Sequence, residues 1–208
     1  MRPLLLAALS LWLGGCATTS IKQSWRSPDL QNRHFQKIAI VTVEERGPIR
    51  QGFENRFVGA LQARGQGALA TYALLGLPEI KADKEAAAAR VRAAGADAVL
   101  IMRLVDQSTY SSQMRATPAL YAPTAIGYES LGWHDYYSIG FTDLGVVWSS
   151  STQKIYLDCS LFDLTKGQRL WSTLTLTELK EDADRLAVAD SLVAKVANAM
   201  GKDGVIAR

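Results

Sequence analysis

In Lys37-Ile38-Ala39-Ile40-Val41-Thr42-Val43, the six residues after Lys37 are all apolar or β-branched, with no polar alternation. A strand of that composition is buried on both faces, so the chain must supply covering elements above and below it. The next stretch does so. A helix is expected from about Ile49 to Arg64, with Phe53, Phe57, Ala60 and Leu61 on one face and Gly65 as its stop. Ala68 to Leu75 reads as a second strand, Lys81 to Ala94 as a second helix ended by Gly95, and Ala96 to Val105 as a third strand. This β-α-β-α-β order implies right-handed crossovers and parallel strands.

Residues 107–150 then show no clear periodicity and make a long connection for a compact domain. Lys154 to Asp163 and Arg169 to Thr177 resume as a hairpin around Thr165-Lys166-Gly167-Gln168, with a wetter face expected along Trp171, Thr173, Thr175 and Thr177. A last helix from Glu181 to Met200 carries an apolar stripe of Leu186, Ala189, Val193, Val196 and Met200, with Gly201 as its cap. The expected fold is α/β (α+β): a mixed sheet in the order β-α-β-α-β-(insert)-β-β-α, with helices packed on it.

The N-terminus has a different character. Arg2 precedes an apolar run, Leu4 to Leu9 and Leu11 to Leu13, and Gly14 and Gly15 come next. This is the pattern of a secretory signal peptide, too short to span a bilayer as a helix. Leu13-Gly14-Gly15-Cys16 resembles the bacterial lipobox. That resemblance implies cleavage between Gly15 and Cys16, a diacylglyceryl thioether on Cys16 and an N-acyl chain such as palmitate on the new terminus. Two or more chains make attachment stable. Ala17, which is not Asp, implies delivery to the outer membrane, facing the periplasm. The expected organisation is residues 1–15 as leader, 16–35 as a lipid-anchored tether spanning ~25 Å if irregular, and 36–203 as one domain with its insert at 107–150. Trp25 within the tether could pack on the domain or sit in the headgroup zone.

Chemistry is sparse. A net charge of +3 gives no reason to expect nucleic acid as a partner. His34 and His134 are the only histidines, and His134-Asp135 offers two ligands at most, so no metal or cofactor is expected. There is no Gly-x-Ser-x-Gly elbow, no phosphate-cradling loop and no Cys-x-x-Cys. Asp97 reads as a turn or capping residue. Cys159 shares a strand face with Ile155, Leu157 and Leu161 and reads as a small buried hydrophobe. The insert is the distinctive stretch: five of the seven tyrosines lie there, with Trp133 and Trp148, and few charges. Aromatics with a polar tip favour interfaces. If the insert makes contacts, Trp133, Tyr136 and Tyr137 are the expected contact residues; the other reading is a connection folded back on the domain.

Several segments together carry a wider resemblance: Ser24-Trp25-Arg26-Ser27-Pro28, Lys37 to Val43, Phe53-Glu54-Asn55-Arg56-Phe57, Gly95 to Leu100, and Leu161 to Ser172. The chain resembles a group of small bacterial lipoproteins of unknown function that have a Tyr/Gly-rich insert before the last hairpin. More distantly it is similar to periplasmic lipoprotein domains of envelope assembly, such as the activators of peptidoglycan synthases and the curli-secretion lipoprotein. The latter raises a pore-forming insert, but a membrane strand needs roughly 9–11 alternating residues, and residues 107–150 show no such alternation.

These readings imply a non-enzymatic envelope lipoprotein that binds another envelope component; the alternatives are a ligand-binding protein or enzyme with a pocket beside the insert, and a self-assembling oligomer. Cys16→Ser should leave the protein uncleaved or soluble. Membrane fractionation checks this, and unchanged partition into the membrane would overturn the anchor.

Overall fold

The computed structural model describes residues 18–31, 33–105, 152–180 and 185–207. Within them the sheet has six strands: β1 (Thr18–Arg26), β2 (Lys37–Val43), β3 (Gly67–Ala70), β4 (Ala98–Val105), β5 (Thr152–Asp163) and β6 (Arg169–Lys180). Helices α1 (Gly47–Gln62), α2 (Leu77–Ala82), α3 (Lys84–Ala93) and α4 (Arg185–Lys202) complete the order. The strands lie side by side as β1-β6-β5-β4-β2-β3. β2 is parallel to both β3 and β4, and the remaining pairs are antiparallel. The mixed α/β fold expected from the sequence is the one observed.

β2 sits between the two strands that come after it in the chain. With right-handed crossovers in opposite directions, α1 must fall on one face and α2–α3 on the other. The core divides accordingly. Ile38, Ile40, Leu100, Met102 and Trp171 pack with Phe57, Leu61, Val196 and Met200 on the α1–α4 side. Ala39, Val41, Val99, Ile101 and Phe162 pack with Ile80, Ala88 and Val91 on the other. The 3,4-spaced stripe of the last helix is buried at Ala189, Val193, Val196 and Met200. Two glycines end helices through a left-handed turn: Gly65 (φ 75) and Gly95 (φ 86). In each, the next residue's N–H reaches back to the last turn, Gln66 to Leu61 O and Ala96 to Val91 O.

Five expectations need correction. Ala17 does not lead into an irregular tether: Thr18–Arg26 is a strand paired antiparallel with β6, from Thr18↔Glu178 to Arg26↔Trp171. The second strand stops at Ala70 instead of Leu75, because the Thr71 hydroxyl and amide both donate to Ile40 O and start a turn. The second helix is two helices. Asp83, in an extended conformation, ends α2 and caps α3 by accepting from the Ala86 N–H. The last helix runs through Gly201, and the positive-φ residue behind it is Gly204. The wetter face of the hairpin is dry: Arg169 to Thr177 are all buried. The threonine hydroxyls find partners, Thr177 with Thr19, Thr173 with Gln23 O, and Thr175 with Leu157 O.

Two glycines predict opposite responses to the same substitution. A Cβ on Gly67 would meet the Gln36 carbonyl oxygen, whereas a Cβ on Gly59, on the exposed side of α1, meets nothing. Gly67→Ala should destabilise by about 1–3 kcal/mol. Gly59→Ala should stabilise by roughly 0.5–1 kcal/mol through lower helix-forming cost. Urea unfolding of the two variants checks the sign.

Candidate functional site

The strongest polar constellation is built from α1. Arg50 and Glu54 stand one helical turn apart, which puts them on one face. That face looks inward, and both are buried. Arg50 Nε donates to Glu54 Oε1 at 2.8 Å. The rest of the guanidinium donates to Leu75 O at 2.9 Å and to Thr71 Oγ1 at 3.1 Å. The carboxylate also accepts from the Thr42 N–H at 3.1 Å and the Tyr72 N–H at 2.8 Å. A buried ion pair persists only when its remaining hydrogen-bonding capacity is used, and here it is used on backbone from β2 and from the turn after β3.

Above this node lies an open cleft of about 380 Å³ at the carboxyl end of β2. Glu44, Glu45, Gly47, Arg50, Leu77, Pro78 and Lys81 line it. In open α/β sheets, ligand crevices form outside the carboxyl ends of strands where the chain changes direction across the sheet. That point lies between β2 and β4: the connection leaving β2 runs to β3 on one side, and the one leaving β4 runs to β5 on the other. Glu44 is held below the usual carboxylate range, chiefly by side-chain hydrogen bonds from Arg46. Arg46 binds it twice, Nε at 2.8 Å and Nη2 at 2.7 Å. The cleft therefore presents a fixed anion already neutralised by a neighbour, with an apolar wall of Leu77 and Pro78. It suits a small polar ligand more than a proton-transfer step.

A second ion pair, Arg103–Asp158 at 3.0 Å, bridges β4 and β5, with Asp158 buried and Arg103 partly so. A third cation is less complete. Arg169, at 6% exposure, lies over the Trp25 ring at 5.4 Å. Its Nε and Nη2 are buried without hydrogen-bond partners. The stacked indole offsets part of that cost.

Asp97 is a capping residue, as its position suggested. Its two oxygens accept from the Gln36 and Lys37 N–H groups at 2.8 and 3.1 Å, at the start of β2 and β4. Asp97 lies before the first residue of β4, whereas the stretch that follows β4 departs after Val105; a pocket combining Asp97 with His134 and Asp135 lies outside the described residues. Cys159 is fully buried, and burial pushes its thiol well above the ordinary range. Trp25 packs on the domain. Gly15, Cys16, Trp133, His134, Asp135, Tyr136 and Tyr137 lie outside the described residues. Among the described residues, no group of three His, Cys, Asp or Glu side chains is arranged to hold a metal ion, and no helix is long and apolar enough to cross a membrane. Sequence reasoning missed Arg50 and Glu54; their i,i+4 spacing inside an amphipathic helix was the available signal.

No family model matches the sequence, and no curated protein matches it. Among solved structures, the chain is similar to the PelC dodecamer from Paraburkholderia phytofirmans, at 14% identity and a TM-score of 0.49, covering 92% of this chain and 99% of that one. It is also similar to the lipoprotein GNA1162 from Neisseria meningitidis, at 14% identity and a TM-score of 0.42, covering 80% of this chain and 98% of that one.

The Arg50–Glu54 node makes a stability prediction. Glu54→Ala strands a buried guanidinium and two backbone N–H groups, and should cost about 3–5 kcal/mol. Replacing the exposed Glu85, whose ion pair with Arg92 is solvated, should cost under about 1 kcal/mol. Denaturant unfolding of both variants checks the contrast.

Proposed function

We propose that this chain is a lipid-anchored outer-membrane lipoprotein that faces the periplasm and binds another envelope component without catalysing a reaction. The observation that carries the reading is the junction of two features. The lipobox-like Leu13-Gly14-Gly15-Cys16 ends two residues before Thr18, where β1 begins. An anchor joined directly to a strand of the sheet holds a folded domain at the membrane surface. The polar clusters support a binding role over catalysis: Arg50–Glu54 and Asp97 are spent on backbone groups, and Arg103 and Asp158 on each other.

β1 supplies a surface for the partner. It is a nine-residue edge strand, and its outer side carries no strand among the described residues. Lys22, Ser24 and Arg26 are exposed along it. Such an edge accepts an added strand, whose backbone gives affinity while its side chains give selectivity. The same edge would take a second copy in the self-assembling alternative. The cleft beside Glu44 and Lys81 favours the remaining alternative, a small polar ligand.

A photo-crosslinking residue at Lys22 in the lipidated protein tests this. The expected outcome is a discrete heavier adduct in the envelope fraction. An adduct of twice the monomer mass identifies self-assembly instead, and no adduct at Lys22 overturns β1 as the binding edge.

A further inference from the structure

The sheet has two ends, and the chain treats them differently. At one end β1 begins at Thr18, whose Cα partner is Glu178 of β6; Lys154 of β5 pairs with the same Glu178. β4 ends alongside, with Val105 opposite Tyr156. The carboxyl end of β2 points the same way but stops short of it: Val43 pairs with Arg103, two residues before Val105, at the level of Leu174 in β6, and the cleft lies beyond it. At the other end are the Leu164–Gln168 turn, Gly95 and Asp97. Along β6 the two ends are on the order of 30 Å apart at 3.3 Å per residue.

We infer that the end of the sheet marked by Thr18, Glu178 and Val105 faces the lipid surface, and that the β5–β6 turn points away from it. This rests on the reading of Cys16 as the lipidated residue.

Three observations carry the orientation. The first is covalent reach: Cys16 and Thr18 are two residues apart, so their Cα atoms are separated by at most ~7 Å. The second is lack of slack. β1 is paired with β6 from Thr18 onward, and the Thr19 hydroxyl is 3.0 Å from that of Thr177, both residues being buried. Unpeeling the first residues to lengthen the tether would break ladder hydrogen bonds and expose those side chains. The third is independent of the anchor. The stretch between β4 and β5 leaves at Val105 and returns at Thr152, both at this end. Its sequence holds five of the seven tyrosines and only five residues of Asp, Glu, Lys and Arg. Tyr and Trp concentrate where headgroups meet hydrocarbon. The two chain segments suited to a bilayer, one by lipid and one by composition, are thus rooted at one end of a single sheet. At the other end the turn residues Thr165 and Lys166 are exposed and polar.

The test uses the full lipidated protein in phosphatidylethanolamine–phosphatidylglycerol vesicles that carry a headgroup quencher. Glu178→Cys, Lys22→Cys and Lys166→Cys each receive one fluorophore; the native Cys159 is buried and silent to the reagent. The expected result is quenching several-fold stronger at position 178 than at 166, with 22 between them. If Glu178→Cys does not fold, Thr18→Cys reports from the same height. Flotation with the vesicles but equal or reversed quenching overturns the orientation alone. Failure of the unlabelled protein to float overturns the anchor reading, and the orientation with it.

Discussion

The constraint on which the structure depends is the burial of β2 on both faces. A parallel strand with neighbours on either side needs helices above and below it, and its own crossovers are the nearest source. The chain leaves β2 for β3 through α1, then passes back across the sheet through α2 and α3 to reach β4. Handedness assigns the two passages to opposite faces. Once α1 is on its face, Glu54 can reach the Thr42 N–H just before β2 ends and the Tyr72 N–H just after β3. Those donors lose their ladder partners where β3 stops at Ala70. Glu54 replaces the missing strand, and Arg50 neutralises Glu54. Without the pair, the short β3 would leave buried N–H groups unpaired, at a cost comparable to a lost hydrogen bond each.

The other half of the sheet is closed where the first and last of the described elements meet. β1 adds to the outside of the β5–β6 hairpin, and the residues after α4 fold onto it. Asp203 accepts from Trp171 Nε1 at 2.8 Å and from Ser24 Oγ at 2.7 Å, while its carbonyl accepts from Arg26. One carboxylate thus joins β1, β6 and the end of α4. Trp171, fully buried, could not lie in the core without a partner for its indole N–H. The segment Thr18–Arg26 is therefore structural, and it behaves as part of the domain.

The parts of the fold legible in the residues alone are those where periodicity survives. β2, β4, the hairpin and the last helix carry long apolar or 3,4-spaced patterns, and all appear close to their expected bounds. β1 was illegible because Thr18 to Ser24 is polar in composition. Its exposed Lys22 suits an edge strand's solvent side, and its inward Thr19 is paired with another threonine instead of packed in an apolar cluster. The break at Asp83 was hidden inside a run of strong helix formers, since a capping carboxylate outweighs propensity locally. The Arg50–Glu54 node was illegible for a different reason: its partners are backbone groups at positions 42, 72 and 75, and only the assembled sheet brings them together. Trp25 left two readings open, and the buried guanidinium of Arg169 beneath it decided for packing.

With Cys16 lipidated as proposed, an anchor without slack also restricts how copies or partners can meet. Antiparallel pairing of two β1 edges would build a continuous sheet, but it reverses one copy end for end. In that arrangement one Thr18 lies at the membrane and the other lies roughly the length of the strand, ~30 Å, above it. Two residues cannot bridge that distance. Copies held in one leaflet must keep the same end toward the lipid, so they associate by rotation about an axis normal to the membrane. Contacts of that kind close as rings when they join unlike surfaces of neighbouring copies. A strand from an unanchored partner has no such restriction and can pair with β1 in either direction. The proposed anchor would therefore separate the two proposed uses of the β1 edge: a soluble partner could meet it strand to strand, while a second anchored copy could not form the antiparallel dimer that an exposed edge would otherwise invite.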